Sequence, residues 1–306
     1  MSADPERAAR VFALPAPLAL DSGATLAGVA LAYRTWGALD ADGGNAVVVG
    51  HALTGSAAVD AWWPEMLGRG RALDPTRDFV ICANVPGSCY GSTGPASPAP
   101  DGRPWGRRFP ALTVRDLVRA QQPLLDHLGV LRVRLALGGS LGGMQALEWA
   151  LMDARVEAAA VIAAPARHEA WAIAWSDAQR RALAADPAWE AGGEPRAGLA
   201  AARAIAMLSY RSPASLAARF GRERGAREPF AVRDWLAHHG RSLVARFDAR
   251  SYAALLDAMD AHDVGAGRGG VAAALASVRA PVLVLAIASD HLYPPAESEA
   301  LAAALP

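Results

Sequence analysis

The chain has 306 residues, of which 53% are hydrophobic, so it can bury one large core with room for an inserted subdomain. Its 30 basic and 30 acidic residues cancel, which leaves no positive excess to hold nucleic acid or an anionic membrane. Every basic residue is arginine, and the absence of lysine excludes Schiff-base enzymes, the usual pyridoxal phosphate enzymes and Walker-type P-loops.

Cysteine usage and hydropathy bear on the compartment of the protein. The two cysteines, Cys82 and Cys89, suggest neither a disulfide framework nor a zinc site, and we expect neither a metal nor a cofactor. No apolar run reaches the roughly 18 residues that a membrane-spanning helix needs. The sequence therefore predicts a cytoplasmic protein that binds no membrane.

Short aliphatic runs alternate with helical stretches along the chain. The runs are nearly continuous, which is typical of strands that are buried on both faces. A helical pattern over 114–128 ends at Gly129, a good C-terminal cap. This alternation predicts an α/β fold with an open, mostly parallel sheet. The predicted strands are 46–50, 79–83, 134–137, 158–163 and 282–287.

The strand pattern is absent from about residue 168 and returns only at Pro281. The interval is rich in alanine, arginine, tryptophan and leucine at helical spacing. We therefore expect a core formed by residues 1–167 and 271–306, with 168–270 inserted as a helical lid. Such a lid would shield the site from water and supply specificity for the acceptor.

A serine lies between a predicted strand and a predicted helix, within the sequence Gly-Gly-Ser-Leu-Gly-Gly at 138–143. A nucleophile on a tight strand-to-helix turn needs small neighbours, because a Cβ on either side would collide with the strand or the helix. Gly138 and Gly142 occupy the two required places. Ser140 is the candidate nucleophile. The alternative without a catalytic role is a glycine-rich turn with a solvated serine.

The acid of a catalytic triad is expected after a later strand. Asp290 follows the last predicted strand, and it could equally cap the turn before Pro294 and Pro295. No histidine is well placed to complete the triad, since His291 is the only one downstream and adjacent side chains point in different directions. The other histidines are expected to be surface or helix residues or, for His51, part of a loop: His51, His127, His168, His238, His239 and His262.

Long ordered motifs resemble the homoserine O-acetyltransferase family. They lie at 33–37, 45–55, 83–95, 138–149, 209–213, 220–222 and 246–252, and at Ser289 and Asp290 followed by Pro294 and Pro295. The resemblance runs from about residue 30 to the end of the chain. It implies an α/β-hydrolase fold with a helical lid, usually a homodimer, acting in methionine biosynthesis.

The same resemblance implies a ping-pong acyl transfer. Ser140 would take the acyl group from an acyl-CoA substrate, with the backbone N–H groups of Leu53 and Leu141 forming the oxyanion hole. Arg211 would grip the carboxylate of the acceptor, with Arg222 as the fallback. Thr54 and Tyr210 are expected to line the substrate site.

The family's C-terminal segment, which carries the catalytic histidine, is absent from these 306 residues, so the chain looks like a family member cut short. Three hypotheses follow: an acyltransferase whose sequence is incomplete, a hydrolase, or a catalytically inactive homologue. The acyl donor, acetyl or succinyl, and the acceptor, homoserine or serine, stay open on the residues alone. On family frequency we expect acetyl transfer from acetyl-CoA to L-homoserine.

Overall fold

A computed structural model describes residues 9–306 and contains a seven-stranded, mostly parallel sheet. Its strand order is β1-β4-β6-β5-β7-β8-β9, and a separate two-stranded sheet pairs β2 with β3. The strands are β1 (Arg10–Ala13), β2 (Leu18–Ala19), β3 (Thr25–Leu26), β4 (Ala30–Trp36), β5 (Ala46–Gly50), β6 (Phe79–Ala83), β7 (Val133–Gly139), β8 (Ala159–Ile162) and β9 (Val282–Leu285).

Strand direction brings the functional loops to one edge of the sheet. Strand β4 runs antiparallel to β1 and β6, whereas each pairing from β6 through β5, β7 and β8 to β9 is parallel. The parallel strands therefore end at a common edge, where ligands bind in open α/β sheets. At this edge Gly50 pairs with Gly138 at the centre of the sheet.

Both faces of the central strands are covered. Val48 packs in a cluster with Trp149, while its neighbours Val47 and Val49 pack with Leu73 on the opposite face. The helices are α1 (Val59–Trp62), α2 (Val114–His127), α3 (Leu141–Met152), α4 (Ala170–Ala184), α5 (Pro187–Ala191), α6 (Arg196–Ser209), α7 (Pro213–Phe220), α8 (Ala231–Val244), α9 (Ala249–Asp260), α10 (Val271–Ala276) and α11 (Pro295–Ala304).

Helices α4 to α9 follow one another between β8 and β9, with no strand between them in this described part of the chain. Helices α6 and α8 approach closely because a glycine faces an alanine: a Cβ on Gly240 would lie 3.0 Å from the carbonyl oxygen of Ala200. Gly198 allows an equally close approach of α6 to α4, since a Cβ there would lie 2.8 Å from the carbonyl oxygen of Ala182. The helical segment starts after β8, at the edge of the sheet that carries the site, and an isolated β-bridge between Arg167 and Asp263 holds its two ends together.

The prediction of a mostly parallel α/β sheet is confirmed. The predicted strands 46–50 and 79–83 match the observed bounds of β5 and β6. Helix α2 ends before Gly129, whose φ of 78° favours glycine, as the sequence predicts. The strands β1 to β4 were not predicted, since β2 and β3 have two residues each and β1 is largely exposed. The first eight residues of the predicted core lie outside the described range.

The expectation that the last strand is buried on both faces is wrong. Strand β9 ends at Leu285, and the side chains of Leu283 and Leu285 are 62% and 42% exposed. The reason is its place in the sheet: among residues 9–306, β9 is an edge strand, and α11 packs against it. Within residues 9–306 no helix is long and apolar enough to cross a membrane.

Candidate active site

Ser140 lies in the turn between β7 and α3 with a strained backbone. Its φ of 55° and ψ of −124° lie in a region that side chains other than glycine rarely adopt. The turn is held by hydrogen bonds from the N–H of Ser140 to Ile162 O (3.0 Å) and from the N–H groups of Gly143 and Met144 to Ser140 O (2.8 and 3.0 Å). The strand-turn-helix geometry is that of a nucleophile elbow.

Close backbone contact explains the glycines around the serine. A Cβ on Gly142 would lie 2.1 Å from the carbonyl oxygen of Gly50, and one on Gly138 would lie 2.5 Å from the backbone of Gly142. Gly143 is equally constrained, since its Cβ would lie 2.7 Å from that of Ala164. Gly139 has ample space, with its nearest contact at 3.8 Å.

A cavity of about 290 Å³ brings together residues that are far apart in the sequence. It lies between the elbow, the end of α6 and the loop after β9, so the predicted Ser140, Asp290, Tyr210 and Arg211 share it. Its lining residues are Ser140, Ala163, Ser209, Tyr210, Arg211, Ser212, Ser215, Ile287, Ser289, Asp290, Leu292 and Tyr293. The predicted Leu53, Thr54 and Leu141 are not among these lining residues.

The carboxylate of Asp290 caps the turn that follows it. Its Oδ1 accepts hydrogen bonds from the N–H groups of Leu292 (2.8 Å) and Tyr293 (3.0 Å). Within residues 9–306 no hydrogen bond joins Asp290 to a histidine. His291 is exposed, and its carbonyl oxygen accepts a hydrogen bond from the indole N–H of Trp171 (2.6 Å). Asp290 therefore has the turn-capping contacts considered for it, while its side chain also borders the cavity.

The loop after β5, which carries Leu53, is fastened by His51. The Nδ1 of His51 lies 2.9 Å from Ala52 O, and its Nε2 accepts a hydrogen bond from the N–H of Val85 (3.1 Å). The His51 carbonyl oxygen accepts a further bond from Gln145 of α3. Burial lowers the pKa of His51 to about 4, so the ring is neutral. The hydrogen bonds of His51 connect the ends of β5 and β6 with α3.

An arginine that follows α8 holds the loop at Thr54. Arg246 Nη1 donates to Thr54 O (2.8 Å) and hydrogen-bonds to the hydroxyl of Tyr90. Tyr90 in turn packs edge-on against Phe247, with ring centroids 5.5 Å apart. The loop that carries Leu53 and Thr54 is thus tied both to the sheet and to the segment between α8 and α9.

The two candidate acceptor arginines occupy different places. Arg211 borders the cavity, immediately after Tyr210, whose ring lies 5.5 Å from the guanidinium carbon of Arg203. Arg222 lies over the ring of Phe230 at 5.3 Å and is not a lining residue. The geometry therefore favours Arg211 over the fallback.

The expectation for the histidines is wrong for two of them. His168 and His262 are 4% and 2% exposed, so neither is a surface residue, and His168 precedes helix α4. Tertiary packing decides this, because each is covered by segments distant in sequence. His168 bonds to Asp260 and to Tyr293, and the Nε2 of His262 lies 3.2 Å from Pro165 O.

Sequence reasoning missed Tyr293, which borders the cavity beside Ser140. A signal existed, because Tyr293 lies three residues after the candidate acid, in the same loop. No spacing pointed to its partners His168 and Asp260, which lie at opposite ends of the helical insertion.

Comparison with known proteins agrees with this geometry. Residues 45–306 match the family model described as alpha/beta hydrolase fold. A homoserine O-acetyltransferase of Trichormus variabilis is 51% identical over 96% of this chain and 84% of its own length. The solved homoserine O-acetyltransferase of Staphylococcus aureus is 29% identical (TM-score 0.80; 97% of this chain and 85% of that one covered). The esterase E22 structure is 25% identical (TM-score 0.89; 97% and 89% covered).

The contact between Gly50 and Gly142 predicts a steep cost for one added methyl group. We expect Gly142→Ala to lower the free energy of unfolding by about 3 kcal/mol, because two backbones would have to separate. Gly139→Ala is the matched control and should leave stability nearly unchanged. Chemical denaturation of the three proteins measures both effects, and equal stabilities of the two variants would contradict this account of the elbow.

The neutral, buried His51 predicts a loss of stability in acid. An exposed imidazole has a pKa near 6.5, so between about pH 6.5 and pH 4 the unfolded chain binds a proton that folded His51 does not. His51 should therefore account for about 2 kcal/mol of stability lost between pH 7 and pH 5. Denaturation at both pH values should show a smaller loss for His51→Gln than for the exposed control His127→Gln; equal losses would refute the assignment.

Proposed function

The chain belongs to the homoserine O-acetyltransferase family within the alpha/beta hydrolase fold, and we propose that it transfers an acetyl group from acetyl-CoA to the hydroxyl of L-homoserine. The reaction would proceed through an acyl-enzyme on Ser140 and belong to methionine biosynthesis. One observation carries the proposal: a serine at a strained elbow shares a single cavity with Asp290 and Arg211.

In the first half-reaction, the Oγ of Ser140 attacks the thioester carbonyl of the donor. The new C–O bond replaces the C–S bond, and coenzyme A leaves as the thiol with the proton taken from the serine. We assign the developing oxyanion to the backbone N–H groups of Leu141, at the start of α3, and Leu53, in the loop held by His51. The hydrogen bonds of His51 that hold this loop support the role, because an oxyanion hole must be rigid before charge develops.

In the second half-reaction, the hydroxyl of homoserine attacks the acetyl ester and frees Ser140. Arg211 is proposed to hold the acceptor carboxylate, since a planar guanidinium can donate two parallel hydrogen bonds to it. Tyr210 would form the wall beside it, and Thr54 would border the acceptor from the loop that Arg246 holds.

The proton steps need a histidine oriented by Asp290. The resemblance places this histidine in a segment that follows the aspartate, and within residues 9–306 no histidine is hydrogen-bonded to Asp290. The chain spans 84% of the Trichormus relative. Without the histidine, we expect acylation of Ser140 to be slower by several orders of magnitude, because no general base takes the serine proton.

Hydrolysis is the second candidate function, and the likeness to esterase E22 favours it. The same acyl-enzyme would then give its acetyl group to water. A positively charged acceptor site at Arg211 supports transfer instead, because water needs no such group. Succinyl transfer, and serine as the acceptor, are further alternatives within the family.

The family also suggests where and how the protein works. A homodimer in the cytoplasm is proposed from the resemblance, and a chain with only two cysteines is compatible with a reducing compartment. The proposed partners are its small-molecule substrates alone.

Mass spectrometry of the peptide that carries Ser140 tests the proposal. After incubation with acetyl-CoA, or with the activated ester p-nitrophenyl acetate to offset slow acylation, we expect an acetyl group on Ser140 and none in Ser140→Ala. Adding homoserine should remove the group and yield O-acetylhomoserine. Acetate as the sole product would instead support the hydrolase, and an unlabelled Ser140 with both donors would support an inactive homologue.

The assignment of Arg211 predicts a selective loss of acceptor binding. In Arg211→Ala, the homoserine concentration that gives half the maximal rate of acetyl-enzyme decay should rise about 30- to 100-fold. This is the effect expected for losing a charge-assisted hydrogen bond of roughly 2–3 kcal/mol. Formation of the acetyl-enzyme should be unaffected. Arg222→Ala is the matched control, and a larger effect in this variant than in Arg211→Ala would transfer the role to Arg222.

A further inference from the structure

A chain of buried hydrogen bonds leads from the wall of the cavity into the lid. The hydroxyl of Tyr293, which borders the same cavity as Ser140, lies 3.2 Å from the Nε2 of His168. The Nδ1 of His168 lies 2.9 Å from Oδ1 of Asp260, the last residue of α9. Tyr293 and His168 are only 3% and 4% exposed, so these bonds are shielded from water.

The charge on Asp260 determines that Nδ1 of His168 carries a proton. Burial acts to raise the pKa of Asp260, but the hydrogen bonds from His168 and Arg180 outweigh it and hold the pKa below its usual value. Arg180 Nη2 lies 2.5 Å from the second carboxylate oxygen. A carboxylate only accepts hydrogen bonds, so the Nδ1 of His168 must carry the proton that is donated to it.

The remaining directions follow from the tautomer. In the neutral ring with a proton on Nδ1, the Nε2 of His168 is an acceptor. The hydroxyl of Tyr293 therefore donates to His168, which leaves its oxygen able to accept a hydrogen bond at the cavity that Ser140 also borders. Burial raises the pKa of Tyr293, so the phenol keeps its own proton and does not become a base.

We propose that Tyr293 is a positioning residue for Ser140, oriented by His168 and Asp260. The inference rests on the proposed role of Ser140 as nucleophile. Tyr293 holds the serine hydroxyl in one rotamer at the elbow, and the pair of His168 and Asp260 prevents the phenol from turning away. The lid thus takes part in arranging the nucleophile, because Asp260 belongs to its last helix and Arg180 to its first.

Packing alone does not account for the hydroxyl. Tyr293 borders the cavity together with Ser140 and Asp290, and a phenylalanine ring would fill the same space without a buried polar group. A buried hydroxyl is costly unless it is hydrogen-bonded, and here His168 is its partner. Tyr252 offers a contrast, since its buried hydroxyl bonds to Gln179 within the lid and does not border the cavity.

The test is the rate at which p-nitrophenyl acetate acylates Ser140 in Tyr293→Phe, His168→Leu and His168→Gln. We expect Tyr293→Phe and His168→Leu to acylate about 10- to 30-fold more slowly, with the KM for the ester changed by less than about twofold. His168→Gln should recover to within about threefold of the unsubstituted chain, because its amide oxygen can accept the bond from Tyr293. Tyr252→Phe is the matched control, expected to acylate at the unsubstituted rate.

The outcomes separate this inference from the proposed function. Acylation of Tyr293→Phe at the unsubstituted rate would overturn the positioning role and leave Ser140 as the nucleophile. A His168→Gln variant that is as slow as His168→Leu, although thermal melting shows both folded, would overturn the assignment of Nε2 as the acceptor. Failure of the unsubstituted chain to acylate at Ser140 would remove the proposed function, and the inference with it.

Discussion

The close approach of two backbones at Gly50 and Gly142 is the constraint on which the site depends. A single Cβ at Gly142 would fall 2.1 Å from the carbonyl oxygen of Gly50, so α3 starts directly against the end of β5. This contact holds Ser140 at a positive φ and sets the distance between the elbow and the loop that carries Leu53. The nucleophile and its proposed oxyanion donors are therefore positioned by backbone packing, which does not relax as a side chain would.

The helical insertion contributes side chains to the cavity and contacts to the loops around it. Tyr210 and Arg211 follow the end of α6 and border the cavity, Arg246 holds Thr54, and Asp260 orients His168 against Tyr293. Each of these contacts joins the insertion to a loop at the carboxyl edge of the sheet. If the proposed roles of Arg211 and Tyr293 hold, a movement of the helical insertion would change the acceptor site and the orientation of the serine together.

Much of the site could be predicted from the sequence because its signals are local. The elbow has a strand before it and a helix after it, and Asp290 follows a strand, so both can be recognised from neighbours in the chain. The motif around Arg211 was found through resemblance. By contrast, the burial of His168 and His262 has no local signal, since the residues that cover them lie about a hundred positions away. The early strands also escaped, because β2 and β3 are too short to show a period.

The sequence by itself determined the alternation of the central strands with helices, the glycine-flanked serine and the chemistry that the absence of lysine excludes. These follow from residue type and spacing, which act over a few residues. The tertiary structure alone decided which distant polar groups meet: that Arg211 rather than Arg222 reaches the cavity, and that Tyr293, His168 and Asp260 form one chain of hydrogen bonds. Such contacts join segments from both ends of the lid, and they exist only once the lid has packed against the sheet.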